Sequence, residues 1–260
     1  MTWTKRTDPA HPQAVLVEAA GLRWLAQAHD HGGPAAAQMI SAEPGTLVLE
    51  RIRTAAADPQ AVEDFGEALA RMHRSLPDQT PFGALPPDHP PGQPPLFGPA
   101  DALLEMGSGT SSSWGSFYAR QRLQPVLDQL RVHAPEDDMA VLAAAQEKIA
   151  AGAFDDDEPP SLIHGDLWSG NVLFSRDGAV LIDPAAHAGH RESDLAMLQL
   201  FGFPHHDRLL AGYQRTAPLR PGWQDRICVH QLFYLAVHWL LFGQGYRSAA
   251  LTAAEQTLQL

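Results

Sequence analysis

Residues 164–171 read H-G-D-L-W-S-G-N, and residues 181–184, a short way further along the chain, read L-I-D-P. The two apolar runs that lie between these motifs are joined by S-R-D-G, and an Asp-Gly pair in that position predicts a tight β-hairpin. We expect the hairpin to fold the chain back so that Asp183 meets Asn171. This stretch holds the densest cluster of polar residues in the chain, and it decides the fold.

The residue types in this stretch fit phosphoryl transfer. That reaction needs a hydroxyl held in line, a carboxylate that accepts its proton, and a divalent cation that neutralises the phosphate oxygens. Asp166 is the candidate base, and Asn171 and Asp183 offer the oxygen ligands that Mg²⁺ prefers. Each of the three alone would be an ordinary turn residue, so the indication comes from their joint spacing. We interpret His164 as a brace of the loop through backbone hydrogen bonds and not as a base.

Several motifs resemble known families. H-G-D-x-x-x-x-N followed by I-D-P resembles the aminoglycoside phosphotransferase and choline kinase superfamily. Residues 189–197, G-H-R-E-S-D-L-A-M, and residues 114–123, W-x-x-F-Y-x-x-x-R-L, resemble the fructosamine kinase (ketosamine-3-kinase) family. The resemblance implies an α+β, protein-kinase-like fold with two lobes and with ATP and Mg²⁺ as cofactors. It also implies phosphorylation of the sugar 3-hydroxyl of ketoamines, the fructosamine or ribulosamine adducts, in a deglycation-type reaction.

Roles follow from the resemblance by position. It makes Asp166 the catalytic base and Asn171 and Asp183 the metal ligands. Trp168, where the antibiotic kinases commonly have histidine, becomes a flat wall against the sugar or its amine substituent, with a core position as the alternative. Asp194 stands at the start of a helical pattern, and we expect it to brace the catalytic loop or to cap that helix.

The nucleotide-binding residues rest on shorter likenesses. Lys5, in T-W-T-K-R, resembles the strand lysine that pairs with the α- and β-phosphates, and Glu18 resembles the helix glutamate that orients this lysine. Glu50, in L-E-R, lies in a hinge-like segment whose backbone would hold adenine. The alternative for Lys5 and Glu18 is a solvated position. No G-x-G-x-x-G segment precedes Lys5. Either the true start lies further upstream than this numbering, or, as we expect, the N-terminal lobe is truncated and lacks the strands of the phosphate-covering loop.

The remaining chain is predicted to be mainly helical. Residues 1–54 are assigned to the N-terminal nucleotide-binding lobe, and residues 55–260 to a C-terminal catalytic and substrate-binding lobe. Proline-rich residues 85–99 are expected to form a long ordered loop, and residues 155–158 and 205–207 to be solvated surface segments. Apolar spacing predicts helices over Glu18–Ala28, Asp58–Arg74, Trp114–Val132 and Ala140–Ala151 and a mostly helical pattern after Ser193, with a strand over Thr46–Ile52.

The bulk composition limits partners and compartment. A formal net charge of −12 without any run of Lys and Arg argues against binding nucleic acid or an anionic membrane. Cys228 is the only cysteine, so no intrachain disulfide can form, and the first residues lack the apolar core of a signal peptide. We expect a cytoplasmic protein that acts on a small molecule, with a monomer favoured.

Two alternatives remain open at this level. One keeps the fold and changes the acceptor to another amino sugar or an aminoglycoside; Trp168 and the G-H-R-E-S-D-L-A-M run argue against it. The other is a non-catalytic, kinase-like binding protein, which the absent glycine-rich loop motivates. The intact set of Asp166, Asn171 and Asp183 argues against that alternative.

Overall fold

Nine α-helices and ten short β-strands make up the chain, and the computed structural model describes all 260 residues. The strands are β1 Thr2–Arg6, β2 Ala35–Ala36, β3 Met39–Glu43, β4 Thr46–Glu50, β5 Leu96–Phe97, β6 Leu104–Glu105, β7 Ser161–Ile163, β8 Val172–Ser175, β9 Gly178–Leu181 and β10 His187–Gly189. The helices are α1 Ala14–His29, α2 Pro59–His73, α3 Trp114–Phe117, α4 Gln124–Leu130, α5 Glu136–Ala150, α6 Arg191–Leu200, α7 His206–Thr216, α8 Trp223–Phe242 and α9 Arg247–Gln259.

A three-stranded antiparallel sheet, ordered β1-β4-β3, carries Lys5, and helix α1 carries Glu18. Side chains alternate along β4, so that Leu47 and Leu49 are buried in a small apolar cluster with residues of α1. Helix α1 begins earlier than predicted. Its first residues, A-V-L-V, are too uniformly apolar to show a helical period in the sequence.

The predicted hairpin forms from β8 and β9, which pair antiparallel with Ser175 opposite Gly178. The pairing continues past the strand ends, because the Ile182 amide donates to the Asn171 carbonyl oxygen at 3.1 Å. This bond holds Asp183 beside Asn171, as the motif spacing predicted. Strand β2 adds to β9 in parallel, and β7 pairs antiparallel with β10.

Helices form most of the rest, and their ends follow local sequence signals. Helix α2 starts where predicted, since the Asp58 side chain accepts from the amides of Gln60 and Ala61 and Pro59 occupies the first turn. Helix α8 is buried over most of its length after the first turns and runs through the largest apolar cluster, next to α6 and α9. None of the helices is long and apolar enough to cross a membrane.

The predicted helix over Trp114–Val132 is not one α-helix. Residues 118–123 form a π-helical turn between α3 and α4. Pro125 has no amide hydrogen, so it cannot donate to the Gln121 carbonyl, which accepts instead from the Gly107 amide at 3.0 Å. Apolar spacing cannot show such a turn, because a π-turn shifts the register by only one residue.

Two segments predicted to be solvated are structured. In the turn over residues 155–158, Asp155 accepts from the Gly115 amide at 2.7 Å and Glu158 pairs with the buried Arg191. Residues 206 and 207 begin α7 instead of lying in a loop. The proline-rich segment is irregular as predicted, apart from the two-residue strand β5. The partners of the acidic turn are distant in sequence, so composition alone could not reveal them.

Candidate active site

The loop that follows β7 brings Asp166 to the wall of a cavity. Gly165 makes this possible, since its φ is +83° and a Cβ there would lie 2.3 Å from the Ala185 carbonyl oxygen. Any side chain at this position would displace the loop from the segment that follows Asp183. The glycine of the H-G-D motif is therefore required by the backbone and not by the chemistry.

Buried polar groups brace this loop. The Asp194 carboxylate, which has no exposed surface, accepts from the backbone amides of His164 at 2.8 Å and Gly165 at 3.0 Å. The His164 ring lies 2.8 Å from the Ile182 carbonyl oxygen and accepts from the Asp166 amide at 3.2 Å. Both residues thus act on the backbone of the loop and not on the cavity. The His164 pKa is lowered by burial, which fits a neutral, bracing ring.

Two residues of this brace were missed in the sequence. The His73 ring lies 3.1 Å from Asp194 and 2.7 Å from the Tyr213 hydroxyl, with no exposed surface. The Tyr234 hydroxyl donates to the Gly165 carbonyl oxygen at 3.2 Å. His73 and Tyr234 both lie in helices with regular apolar spacing. The only sign of their role in the sequence is a polar side chain on the buried face of the helix.

Three oxygen-bearing side chains meet at the cavity. The Asn171 amide donates to the Asp166 carbonyl oxygen at 2.8 Å and to its carboxylate at 3.2 Å. The Asn171 side-chain oxygen accepts no hydrogen bond in this arrangement and stays available. Asp183 adopts a left-handed backbone with φ 51°, which is uncommon for a residue other than glycine. That strain is consistent with a residue held for its side chain.

Asp166 has a perturbed acidity. Burial raises its pKa to about 7, the hydrogen bond from Asn171 opposes this, and the charges of Asp183 and Asp194 add to the rise. A carboxylate with a pKa near neutrality is suited to accept a proton under physiological conditions. A divalent cation near Asp183 would favour the ionised form, so the pair of carboxylates and the free amide oxygen fit a hard cation.

Lys5 reaches the same cavity from the N-terminal sheet. Its ammonium lies 2.7 Å from Glu18 and 3.0 Å from Asp183. Burial alone would lower the Lys5 pKa, but the two carboxylates outweigh it and raise the pKa. The side chains of Lys5 and Glu18 are 21% and 12% exposed, so neither is in a solvated position. A fixed cation at this place suits a phosphate group.

The cavity measures about 640 Å³, and Trp168 stands in its wall. The indole is 40% exposed, so it is not a core residue. The indole packs against Gly170, where a Cβ would lie 2.3 Å from the ring. Only glycine at position 170 therefore leaves room for the indole in this orientation. Six predicted residues line this cavity together: Lys5, Glu18, Asp166, Trp168, Asn171 and Asp183.

Glu50 is not among them. Its side chain is exposed at the end of β4, where its backbone amide donates to the Gln38 carbonyl oxygen at 2.8 Å. His164 and Asp194 lie behind the cavity, as described above. The structure therefore brings the phosphate and acceptor candidates together and leaves the side chain of the adenine candidate outside.

Known proteins resemble this chain in sequence. The family model described as fructosamine kinase matches residues 3–260. Mouse ketosamine-3-kinase is 37% identical over 140 residues, which are 54% of this chain and 45% of that protein. The chain thus aligns with less than half of the length of that relative.

Solved structures show the same fold. The crystal structure of a fructosamine-3-kinase candidate from Thermobifida fusca YX-ER1 superposes with a TM-score of 0.86 at 38% identity, covering 100% of this chain and 86% of that chain. An ADP-bound aminoglycoside phosphotransferase superposes with a TM-score of 0.61 at 13% identity, covering 98% and 88%, which shows likeness of fold alone. The fold is therefore the α+β, kinase-like fold predicted above. On the strength of the match over residues 3–260, the chain belongs to the fructosamine kinase family.

Proposed function

We propose that this protein transfers the γ-phosphate of ATP to the 3-hydroxyl of the sugar in ketoamines, with Mg²⁺ as the second cofactor. One observation carries the proposal. A carboxylate whose pKa is raised to about 7 shares one cavity with a fixed ammonium group and with two further oxygen-bearing side chains. Membership of the fructosamine kinase family supports a ketoamine as the acceptor of the phosphate, so the substrate is a small molecule.

Asp166 acts as the base. Its carboxylate accepts the proton of the sugar hydroxyl as the hydroxyl oxygen bonds to phosphorus and the bond from phosphorus to the ADP oxygen breaks. Asn171 keeps this carboxylate in place by its hydrogen bond. Asp194 and His164 hold the loop that carries Asp166, so the base does not have to be ordered when the substrate arrives.

Lys5 binds the phosphates, and Glu18 orients it. The position of the Lys5 ammonium, within 3.0 Å of both Glu18 and Asp183, supports this role because it needs no rearrangement of β1. Asn171 and Asp183 would hold Mg²⁺. The cation would neutralise charge on the phosphate oxygens. The adenine contact is assigned to the backbone of the Glu50 segment because L-E-R resembles the kinase hinge; the Glu50 side chain itself is exposed and does not line the cavity.

Trp168 packs its indole against the apolar face of the sugar or against its amine substituent. Its indole is exposed in the wall of the cavity that also contains Asp166, and an indole packs well on the apolar face of a sugar ring or on an ammonium group. We place the activity in the cytoplasm, because the single cysteine indicates no oxidising compartment. We propose that the protein works as a monomer.

The test is phosphorylation of a fructosyl-amine by the purified chain with ATP and Mg²⁺, followed by ³¹P NMR of the product. A phosphate ester on the sugar 3-carbon supports the proposal. An aminoglycoside, run in parallel, tests the alternative acceptor. Turnover of the aminoglycoside in place of the ketoamine would refute the acceptor assignment, and nucleotide binding without any phosphoryl transfer would favour the non-catalytic alternative.

A further inference from the structure

The cavity continues beyond Asp166 into an end lined by aromatic rings. Phe201, His238, Phe242 and Tyr246 line it together with Leu241. The His238 ring lies at the centre of the group, with centroid distances of 4.7 Å to Phe201, 5.2 Å to Phe242 and 5.0 Å to Tyr246. We call these four rings the aromatic end. It comes from the ends of α6 and α8 and the turn that follows, and no sequence motif marked it.

The rings are not closed over by the protein. Phe242 is 57% exposed, although it is a large apolar side chain at the end of a buried helix. An exposed phenylalanine ring that shares a cavity with a candidate base is typical of a ligand surface. The remaining wall on this side is contributed by the apolar segment that includes β5.

Charge is distributed unevenly in this cavity. Lys5, Glu18, Asp166 and Asp183 are its only charged lining residues apart from histidine, and all of them belong to the catalytic end described above. The aromatic end therefore offers no cation to a carboxylate and no anion to an ammonium group. A carboxylate placed there would lose its water without gaining a cationic partner.

His238 is neutral in this setting. Its Nδ1 lies 2.7 Å from the Tyr234 carbonyl oxygen, which can only accept, so Nδ1 carries the proton and Nε2 keeps a lone pair. Burial lowers the His238 pKa, which also favours the neutral ring. The polar groups of the aromatic end are thus uncharged: the His238 ring, which can accept a hydrogen bond, and the Tyr246 hydroxyl.

The geometry points to the aromatic end as the subsite for the amine substituent of the ketoamine, selecting substituents with an alkyl or aromatic body over short ones that carry a carboxylate. This inference rests on the proposed function. In the proposed reaction the sugar hydroxyl lies at Asp166 and the phosphates of ATP lie at Lys5. The sugar carbon that bears the amine then lies on the side away from Lys5, past Trp168. An apolar substituent then reaches the rings, and its burial adds to affinity.

The test compares two ketoamines with the same sugar, fructosyl-benzylamine and fructosyl-glycine. For the native chain we expect kcat/KM for the benzylamine adduct to exceed that for the glycine adduct by about tenfold or more. Phe242→Ala should lower the value for the benzylamine adduct by roughly fivefold, mainly through KM, and leave the glycine adduct unchanged. Val132→Ala, which removes an exposed apolar side chain that does not line the cavity, is the control.

A second variant tests the charge argument in the opposite direction. Phe242→Lys supplies a cation to the aromatic end, so it should raise kcat/KM for fructosyl-glycine relative to fructosyl-benzylamine. Equal values for the two adducts in the native chain, or equal losses for both in Phe242→Ala, would overturn the subsite and leave the proposed function standing. No turnover of either adduct would overturn the proposed function, and the subsite with it.

Discussion

The buried carboxylate of Asp194 accepts a hydrogen bond from the backbone amide of His164 at 2.8 Å, so a helix residue thirty positions away sets the path of the catalytic loop. The other oxygen of the Asp194 carboxylate accepts a hydrogen bond from the Gly165 amide at 3.0 Å. Both oxygens are therefore used on the backbone that leads to Asp166, and neither reaches the cavity. Asp194 is a positioning residue.

Asp194→Asn should impair both stability and turnover. The amide nitrogen of asparagine would face a backbone N–H in place of an acceptor, which costs about 2–3 kcal/mol of unfolding free energy. Displacement of Asp166 should lower kcat by about 10²-fold, with a small effect on KM for ATP. Urea unfolding and steady-state kinetics measure the two effects. Asp177→Asn in the exposed hairpin turn is the control, and a fully active Asp194→Asn protein would contradict the positioning role.

Asp166→Asn should abolish turnover and stabilise the fold. Loss of a general base lowers kcat by about 10²- to 10⁴-fold. Because burial raises the Asp166 pKa to about 7, the folded protein holds a proton that the unfolded chain releases near pH 4, and this contribution to stability declines as the pH rises toward 7. Asparagine carries no such penalty, so the melting temperature at pH 8 should be higher than that of the native chain. Retained turnover would refute Asp166 as the base.

Lys5→Met should weaken ATP binding. The variant removes the ammonium that lies between Glu18 and Asp183, leaving two carboxylates to repel the phosphates. We expect KM for ATP to rise by about tenfold or more, since one charged contact of this kind is worth about 1.5–3 kcal/mol. Arg6→Met, on the same strand with an exposed side chain, is the control. An unchanged KM for ATP would remove Lys5 from the phosphate site.

Activity should depend on a divalent cation held by Asp183. Treatment with EDTA should abolish turnover, and added Mg²⁺ should restore it. Asp183→Asn keeps a residue type that tolerates the left-handed backbone at this position, so the fold should persist while the Mg²⁺ concentration for half-maximal activity rises. The circular dichroism spectrum checks the fold. Full activity in EDTA would contradict the cation requirement.

Acid should destabilise the protein through His187. Burial lowers the His187 pKa to about 3, the charge of Arg122 adds to this, and the ring packs against Phe117. Below pH 6.5 His187 binds a proton in the unfolded chain and stays neutral in the folded chain. As the pH is lowered, this difference should therefore reduce the free energy of unfolding by up to about 1.4 kcal/mol per pH unit. Urea unfolding between pH 7.5 and 5 measures the slope. A His187→Gln variant should show a smaller slope, and an equal slope would assign the effect to other groups.

The sequence by itself determined the catalytic loop and the hairpin, because their signals are local. Asp-Gly predicts the turn, and the five-residue step from Asp166 to Asn171 places both on one loop. These signals depend on bonds between near neighbours in the chain. They predicted Asp166, Asn171 and Asp183 as a group, whereas the fold class and the roles of Lys5, Glu18 and Trp168 came from the resemblance of the motifs to the fructosamine kinase family.

Only the tertiary structure decided the rest, because the contacts join distant segments. His73 contacts Asp194, which lies 121 positions further along the chain. At the π-helical turn after Phe117, the Gln121 carbonyl accepts a hydrogen bond from the Gly107 amide of a distant loop, because Pro125 has no amide hydrogen to donate. The aromatic end gathers Phe201, His238 and Tyr246 from a helix end, a second helix and a turn. No sequence pattern links these rings, since helical spacing indicates burial and not which cavity a side chain faces.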